Sequence, residues 1–539
     1  MKGGFFASKS WLKPKQIKYR SYKKFVQENF LSDVKHAQFE CDGTNPDKSY
    51  DHLTNTFRNI VDKHAPIKTK FLRGNNAPFM NPELKKAMYT RARLKRRLNK
   101  HPSKQNEVAF KKQRNHCVAL RKKAIKNHFK RVTSNGLMSN KAFWDLVKPF
   151  LSNKGVLAGT NISLIKDDKI VTDDHDLGEI FNDYYINIVE NTSGKKPSSI
   201  ANANSIGDDR EIVKLILDKY KDHPSILAIV QDPEQTFQSF SFNEVTASEV
   251  WLQLKMLDGS KSTGVDQIPP KLVSLASDDL TVPLTKAINC SIRNFIFPQN
   301  AKTAAVCPLD KAYRTAYSTQ HVLIKLVEEW KSKLDNNFIV GSVLMDLSKA
   351  FDCIPHDLII AKLHAYGFEE NALVVYSYFK KQKQSFRINN VYSSFQEIVS
   401  GVPQGSVLGP ILFNFYINDL FSFIKQATMY NYADDNTLAF FSKSLPDLVR
   451  VLENEANSAL SWLERNEMIA NPNKFHALSV KKDQTNTSGI NLNFQGHSIK
   501  SEETVKLLGV TLDYKLNFDP HISNLCKKAA AQLNVLKRL

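Results

Sequence analysis

Cysteine is scarce in this chain of 539 residues, and the positions of the six that occur exclude the common cysteine-based sites. No C-x-x-C pair is present, so the sequence supports neither a zinc knuckle nor a disulfide framework. This usage is typical of a reducing compartment. The N-terminal region also lacks an apolar stretch long enough for a signal peptide. We therefore expect an intracellular protein of the cytoplasm, the nucleus or both, and not a secreted one.

Long apolar runs are also missing. The best membrane candidate is SVLGPILFNFYINDLFSFI, which contains Asn414, Asn418 and Asp419. Because the core of a bilayer penalises such polar groups, this stretch predicts a buried or amphipathic helix. We expect no transmembrane segment and no membrane partner.

Acidic residues are almost absent from residues 85–131, which hold 18 Lys and Arg against one acid, Glu107. The whole chain has a net charge of +21, so this segment carries most of the excess. Asn81 and Pro82 predict a helix start, and Pro102 interrupts the pattern, so we expect two basic helices. Such a segment suits phosphate backbones, whereas a merely solvated helical face would carry more acids.

Two adjacent carboxylates, Asp434 and Asp435, lie in the largely apolar stretch MYNYADDNTLAF. The pattern predicts two short strands joined by a tight Asp-Asp-Asn turn that ends at Asn436. Asp and Asn are good turn residues in any protein, so the pair alone favours an ordinary turn.

A third carboxylate follows a buried strand. Residues 338–345 form a nearly continuous apolar run that ends at Asp346. An acid at this position is costly unless it is paired or binds a cation. If it converges with Asp434 and Asp435, the three carboxylates raise one another's pKa values. Divalent ions remove that penalty, and two Mg²⁺ ions suit phosphoryl transfer.

Glycine and proline mark a loop between these acids. Gly401, Pro403, Gly405 and Gly409 bend the chain around Gln404, and glycine allows close approach of a bound partner. A structural turn before a core helix is the alternative interpretation. The inner face of the following helix is predicted to consist of Ile411, Leu412, Phe415, Tyr416 and Leu420.

In this order, the strand ending at Asp346, the loop GVPQGSVLGP and the box YADD resemble motifs A, B and C of reverse transcriptases. The longer stretches LMDLSKAFDCIPHDLIIAKL and SGVPQGSVLGPILFNFYINDL resemble the non-LTR (LINE-type) retrotransposon polymerases. The resemblance implies an α+β right-hand fold, with fingers and an antiparallel palm sheet backed by helices, and a basic helical N-terminal extension. It also implies an RNA-directed DNA polymerase that uses dNTPs, a template RNA, a DNA primer and two Mg²⁺ ions, with Mn²⁺ as a substitute.

The resemblance assigns roles at the metal site. Asp346, Asp434 and Asp435 match the metal-binding, catalytic aspartates, and Leu347 matches the residue whose backbone carbonyl also binds metal. Phe351 matches the aromatic that crowds the sugar 2′ position and favours deoxynucleotides. A core aromatic is the alternative for Phe351.

Further residues match nucleotide- and nucleic-acid-binding positions. Gln404 and Gly405 match the loop that supports template and incoming nucleotide, and Lys311 bounds the first apolar strand of the fingers. Lys474 resembles a lysine that protonates pyrophosphate, although a solvated lysine is the alternative. Nucleic-acid contacts are implied for Lys95, Arg96, Arg97, Arg121, Lys122, Lys123, Leu508 and Gly509.

The chain departs from the family pattern in the fingers. The segment CPLDK runs directly into AYRTAYSTQHVLIKL, so the fingers are shortened near residues 311–312 and a triphosphate-binding arginine box is missing. The predicted organisation is a basic region at 1–165, a connection at 166–245, fingers and palm at 246–515 and the start of a truncated thumb at 516–539. A catalytically dead nucleic-acid-binding remnant is the main alternative function, and a group II intron maturase-like protein is a weaker one. The sequence carries no signal for an oligomeric state.

Overall fold

The structure is a computed structural model. It describes residues 15–39, 43–72, 79–133, 164–166, 169–194, 208–232, 239–259, 261, 263–306, 319–347, 349–368, 370, 372–388, 391–403, 406–482 and 489–536. Three residues with predicted roles, Lys311, Gln404 and Gly405, lie outside these ranges.

The α-helices of the described residues are, in chain order, α1 (Gln27–His36), α2 (Pro46–His64), α3 (Pro82–Lys100), α4 (Lys104–Thr133), α5 (Asp174–Ile186), α6 (Ile188–Ser193), α7 (Asp209–Tyr220), α8 (Pro224–Val230), α9 (Ala247–Lys255), α10 (Pro270–Leu275), α11 (Ser277–Asn294), α12 (Thr319–Asp335), α13 (His356–Ala365), α14 (Ala372–Phe379), α15 (Leu408–Ile417), α16 (Leu445–Arg465) and α17 (Asp519–Leu536). Short 3-10 helices lie at Gln299–Lys302, Ala350–Asp352, Asn418–Phe423 and Pro472–Lys474.

The strands of the described residues are β1 (Lys15–Arg20), β2 (Ile67–Leu72), β3 (Leu164–Lys166), β4 (Lys169–Val171), β5 (Thr303–Val306), β6 (Ile339–Asp346), β7 (Lys383–Ile388), β8 (Val391–Tyr392), β9 (Gln396–Glu397), β10 (Thr428–Tyr432), β11 (Asp435–Ser442), β12 (His476–Val480), β13 (Asn491–Phe494), β14 (His497–Lys500), β15 (Thr504–Leu507) and β16 (Val510–Asp513). Helices and strands therefore mix in the α+β manner that the sequence predicts.

Contacts divide the chain into two units. The larger includes Lys18–Lys68 and Ile162–His521, and the smaller includes Thr69–Asn161 and Ile522–Leu539. The domain boundaries expected at residues 165, 245 and 515 stay predictions.

An antiparallel four-stranded sheet organises the larger unit, in the order β10-β11-β6-β12. Its central strand β6 begins and ends one residue later than the predicted span of 338–345. Val343 and Met345 of β6 belong to the core cluster that includes residues of helices α13, α15 and α16. Val340 and Leu344 belong to a second cluster with Trp330 of α12. Because β6 is buried on both faces, it reads as a continuous apolar run.

The membrane candidate of the sequence is a buried helix, α15, followed by the 3-10 helix Asn418–Phe423. Leu412, Tyr416 and Leu420 are buried as predicted, but Ile411 is 49% exposed, so its predicted inner position was wrong. The buried face of α15 runs instead through Phe413 and Ile417 beside Leu412 and Tyr416, because the helix packs on α13 and α16 with a wider face than the predicted stripe. No helix in the described ranges is long and apolar enough to cross a membrane.

A buried ion pair joins the helices behind the sheet. The Lys362 ammonium of α13 donates to Asp419 Oδ1 at 2.6 Å and to the Tyr416 carbonyl at 2.8 Å. Trp462 of α16 donates its indole N–H to the other Asp419 oxygen at 2.7 Å. Each charged group therefore has hydrogen-bond partners that compensate for its removal from water.

Candidate active site

The two acids of the YADD box lie at a hairpin between β10 and β11. Tyr432 pairs with Asp435, so the turn consists of Ala433 and Asp434. Ala433 has a φ of 54°, and a positive φ at the first turn position suits the right-handed twist of a two-residue hairpin. The predicted Asp-Asp-Asn turn was wrong, because the left-handed backbone of Ala433 closes the hairpin earlier.

Side-chain amides fix the hairpin from inside. Asn431 and Asn436 are cross-strand partners, and Asn431 Nδ2 donates to Asn436 Oδ1 at 2.7 Å. Asn431 also donates to the Ala433 carbonyl at 3.0 Å, and Asn436 donates to the Asp434 carbonyl at 3.2 Å. Asn436 is therefore a buried strand residue whose side chain supports the turn.

The register of the sheet brings the third acid to the same edge. Asp435 of β11 pairs directly with Asp346 of β6. Opposite residues of antiparallel strands direct their side chains to the same face, with Cβ atoms about 4.5–5.5 Å apart. Two of the predicted carboxylates are thus cross-strand neighbours, and Asp434 is the residue before one of them.

The carboxylates influence one another electrostatically. The pKa of Asp435 is raised to about 6. The largest cause is desolvation by the surrounding protein, and the negative charges of Asp434 and Asp346 add to it. Asp435 as a whole residue is exposed, so only part of it, including the carboxylate, is surrounded by protein. Negative charge is therefore concentrated at this edge of the sheet.

One cation does reach the site. Lys474, at the end of the 3-10 helix Pro472–Lys474, places its ammonium 2.9 Å from Asp346 Oδ2, and both side chains are substantially exposed. The amide of Asn471 donates to the Asp346 carbonyl at 3.4 Å, which brings this segment to the end of β6. Across the described ranges, no three His, Cys, Asp or Glu side chains form a group that could hold a metal ion in this conformation.

Leu347, whose carbonyl is a predicted metal ligand, follows directly on β6. Its side chain is buried, and its backbone forms an isolated antiparallel bridge with Ala470. The chain beyond the strand is therefore held on the side from which Lys474 approaches.

Phe351 is held at both its backbone and its ring. The Val402 amide donates to the Phe351 carbonyl at 2.8 Å, and the ring stacks on Phe413 of α15 at 4.5 Å between centroids. Phe351 lines a cavity of about 480 Å³ that Ala433 also borders. The predicted sugar-gating aromatic therefore faces a space next to the YADD turn.

His356 is a residue near the site that sequence reasoning missed. Its Nε2 lies 2.7 Å from the Gly401 carbonyl, and its ring stacks on Phe379. Gly401 donates in turn to the Ile354 carbonyl at 2.7 Å. The segment after Asp346 and the start of the glycine-rich loop are thus tied together. A histidine immediately after Pro355, at a helix start, was the available signal.

A second hairpin, between β15 and β16, contains the predicted primer contacts. Leu508 and Gly509 form its turn, with φ values of 48° and 87°. Positive φ at both positions is the type I′ geometry, which strongly prefers glycine or asparagine. Leu508 is therefore a strained residue at a predicted functional position.

In the smaller unit, α3 and α4 pack together as the predicted pair of basic helices. Asn81 caps α3 through Oδ1, which accepts from the Leu84 amide at 2.8 Å, and Pro82 occupies the first turn. The six cations that the sequence singled out here are all exposed: Lys95, Arg96, Arg97, Arg121, Lys122 and Lys123.

Residues 285–512 match the family model described as reverse transcriptase (RNA-dependent DNA polymerase). The chain therefore contains a reverse transcriptase domain, as the motifs predicted. The match includes the sheet edge with Asp346, Asp434 and Asp435.

Similar proteins come from transposons. "Probable RNA-directed DNA polymerase from transposon BS" of Drosophila melanogaster is 28% identical over 42% of this chain and 26% of its own length. "RNA-directed DNA polymerase from mobile element jockey" of the same organism is 26% identical over 50% of this chain and 29% of its own length. The resemblance to non-LTR elements is confirmed. This chain matches less than a third of the length of these relatives.

A solved structure of apo telomerase from Candida tropicalis, truncated from the C-terminal domain, is 12% identical. The TM-score is 0.27 over 38% of this chain and 40% of that chain, a similarity too low to indicate the fold.

Proposed function

We propose that this chain is an RNA-directed DNA polymerase of a non-LTR retrotransposon. A primer 3′-hydroxyl attacks the α-phosphate of a dNTP, the new phosphodiester forms, and pyrophosphate leaves. The observation that carries the proposal is the cross-strand pairing of Asp346 with Asp435 beside the turn that contains Asp434. On this proposal the protein works inside the cell, where its RNA template is found.

The donor chemistry of this edge fits magnesium, with manganese as a substitute. Carboxylates of Asp346, Asp434 and Asp435 and the carbonyl of Leu347 are oxygen ligands of the kind that Mg²⁺ prefers. Burial, followed in size by the charges of Asp434 and Asp346, raises the pKa of Asp435, and a bound cation would offset both effects. Two Mg²⁺ ions, when bound, supply the positive charge that stabilises the attacking and leaving oxygens.

Lys474 has two roles in the proposed cycle. In the free protein its ammonium neutralises Asp346 across 2.9 Å. When Asp346 acts in catalysis, the ion pair between Lys474 and the Asp346 carboxylate breaks. Lys474 then donates a proton to the departing pyrophosphate. Its half-exposed side chain leaves it room for this change.

The remaining roles follow the motif order. We assign the sheet β10-β11-β6-β12 as the palm. Shortened fingers precede it in the chain, and a thumb starts after residue 515. Phe351 excludes the ribose 2′-hydroxyl from the cavity that it lines. Lys311, Gln404 and Gly405 serve the incoming nucleotide, and the eight nucleic-acid contacts implied by the motifs serve template RNA and DNA primer.

Primer extension on an RNA template with dNTPs and Mg²⁺ tests the proposal. Asp346→Asn and Asp434→Asn keep side-chain size and remove charge. We expect each to lower the extension rate by roughly 10³-fold or more, because charge stabilisation is the largest catalytic term. Asp218→Asn is the matched control, since Asp218 is an exposed acid of helix α7 whose partner is Lys221. Extension by wild type that survives both aspartate variants would sink the assignment.

A nucleic-acid-binding remnant without catalysis is the second candidate. The ion pair between Lys474 and Asp346, which engages one of the three proposed metal ligands, favours it. It predicts that wild type and both aspartate variants are equally inert in extension. Binding to RNA would still fall with salt, because the cations of α3 and α4 remain.

A further inference from the structure

The helical hairpin formed by α3 and α4 buries its apolar side chains against itself. Leu84 and Ala87 of α3 and Cys117 and Ala124 of α4 are all 7% exposed or less. Gln113 of α4 donates to the Ala87 carbonyl at 3.0 Å, so a hydrogen bond also crosses the seam. The inner side of the hairpin is therefore closed, and a ligand meets its outer surface.

That outer surface is strongly cationic. Residues 82–133 contain 18 Lys and Arg and two acids, Glu83 and Glu107, a net charge of +16. Arg91 is half-buried, and the other 17 cations are exposed. Helix α4 has 30 residues and is about 45 Å long, enough to follow a phosphate backbone over more than one turn of a duplex.

Among its described side chains, the hairpin presents little aromatic surface on which a base can stack. Lys95 lies over the ring of Phe110 at 5.1 Å, and Arg121 lies over the ring of Phe79 at 5.9 Å. Each of these two rings therefore has a cation over one face. The large aromatic that stays exposed among the described side chains of the hairpin is Tyr89, at 69%.

Single-stranded and double-stranded partners differ in what they require. A single strand exposes its bases, and proteins that bind it combine cations with aromatic stacking platforms. In a duplex the bases stack on one another inside the helix and the phosphates lie outside, where cations bind them without sequence preference. Many exposed cations, with a cation over one face of Phe79 and of Phe110, suit the duplex.

We propose that the outer surface of the α3–α4 hairpin binds a nucleic-acid duplex through its phosphates, and that this duplex is the RNA–DNA hybrid. The choice of hybrid depends on the proposed function, because it is the duplex that reverse transcription necessarily produces. The preference for paired over single strands depends on the hairpin alone.

Fluorescence anisotropy with a labelled RNA–DNA hybrid and a single-stranded RNA of the same length tests the proposal with the full chain. No nucleotide is present, so a chain that is inert as a polymerase is measured equally well. We expect tighter binding of the hybrid than of the single strand. Double-stranded RNA should bind about as well as the hybrid, since phosphates are the contact.

Three exposed lysines of α4 provide the decisive variant, with Lys122→Gln, Lys123→Gln and Lys126→Gln combined. Loss of three phosphate contacts should weaken hybrid binding on the order of 10- to 100-fold and reduce the salt slope by about 2–3. The matched control combines Lys35→Gln, Lys214→Gln and Lys286→Gln, which remove the same charge from exposed helix positions of the larger unit. It should leave affinity nearly unchanged.

A substitution of the exposed aromatic separates phosphate contacts from base stacking. Tyr89→Ser should leave hybrid affinity unchanged. The proposal is overturned if single-stranded RNA binds as tightly as the hybrid, if the α4 variant behaves like the control variant, or if Tyr89→Ser weakens binding tenfold or more.

Discussion

His356 is a buried imidazole, 1% exposed, that ties the segment after Asp346 to the glycine-rich loop. Its Nε2 donates to the Gly401 carbonyl when the ring is neutral. Burial lowers the pKa of His356 to about 4, despite the favourable contributions of Gly401 and Asp357. The imidazole is therefore neutral in the folded protein at physiological pH.

The free energy of unfolding should decrease as the pH is lowered, because of this one group. Above pH 6.5, the ordinary value, neither state of His356 is protonated and its contribution to stability is fully present. As pH falls toward 4, the unfolded chain binds a proton that the folded chain does not. The free energy of unfolding should drop by about 2 kcal/mol between pH 7.5 and pH 5 through His356.

Urea unfolding at the two pH values measures this loss. His356→Gln keeps a donor for Gly401 and does not titrate, so its free energy of unfolding should change with pH by about 2 kcal/mol less than that of wild type. The exposed His497, changed to Gln, is the matched control and should keep the wild-type slope. Equal slopes in wild type and His356→Gln would contradict the prediction.

Gly401 permits a second residue-level test. Its φ is +80°, and a Cβ atom there would lie 2.5 Å from the Asp352 carbonyl oxygen. Gly496 has a similar φ of +77° with nothing within 4 Å of the added atom. Gly496→Ala should cost roughly 1–2 kcal/mol for the left-handed backbone alone. Gly401→Ala should cost about 1–3 kcal/mol more, from overpacking. Equal losses in chemical denaturation would show that the clash is relieved.

At the scale of helices, the Lys362–Asp419 pair links α13 and α16 through the 3-10 helix Asn418–Phe423. Asp419→Ala leaves the ammonium of Lys362 buried without its carboxylate and removes the acceptor of Trp462. We expect a loss of about 3–5 kcal/mol in the free energy of unfolding, measured in urea.

A double variant separates the buried charge from packing. Lys362→Met combined with Asp419→Leu replaces both charges with apolar groups and should recover most of the stability lost in Asp419→Ala. If the double variant is as unstable as the single one, the loss comes from packing around Trp462 and not from an unpaired charge.

The sequence predicted those elements that hydrophobic periodicity specifies. The strand ending at Asp346 was found one residue from its predicted span, because a strand buried on both faces is a continuous apolar run. The hairpin of Asp434 was also found, but its turn was wrong. A positive φ at Ala433 arises from the pairing of β10 with β11, and no composition signal marks it.

Contacts between segments that are distant in the chain could not be predicted from the sequence pattern. The pairing of Asp346 with Asp435 depends on strand register, which the sequence does not predict; only the shared metal-binding role of the two acids was implied, by the family motifs. The contact of His356 with Gly401 spans 45 residues and depends on how two loops cross. The exposure of Ile411 follows from the direction in which α15 packs, which periodicity left open by one position.

For the whole molecule, charge and chemistry are separated along the chain. The proposed carboxylates lie in the larger unit, whereas residues 82–133 carry +16 of the total net charge of +21. On our proposals, the hairpin supplies affinity for nucleic acid and the sheet edge supplies catalysis. Kinetic parameters should therefore respond separately to changes in the two places.

Steady-state extension on an RNA template with varied primer–template concentration measures this separation. Asp434→Asn should lower kcat by roughly 10³-fold with little change in primer–template affinity, because the lost interaction acts in the transition state. The combined Lys122→Gln, Lys123→Gln and Lys126→Gln variant should raise the KM for primer–template by about 10- to 100-fold and leave kcat within about twofold. The control variant at Lys35, Lys214 and Lys286 should change neither parameter. A fall in kcat at saturating primer–template for the α4 variant would mean that the hairpin takes part in the chemical step, and separate roles for the two places would have to be abandoned.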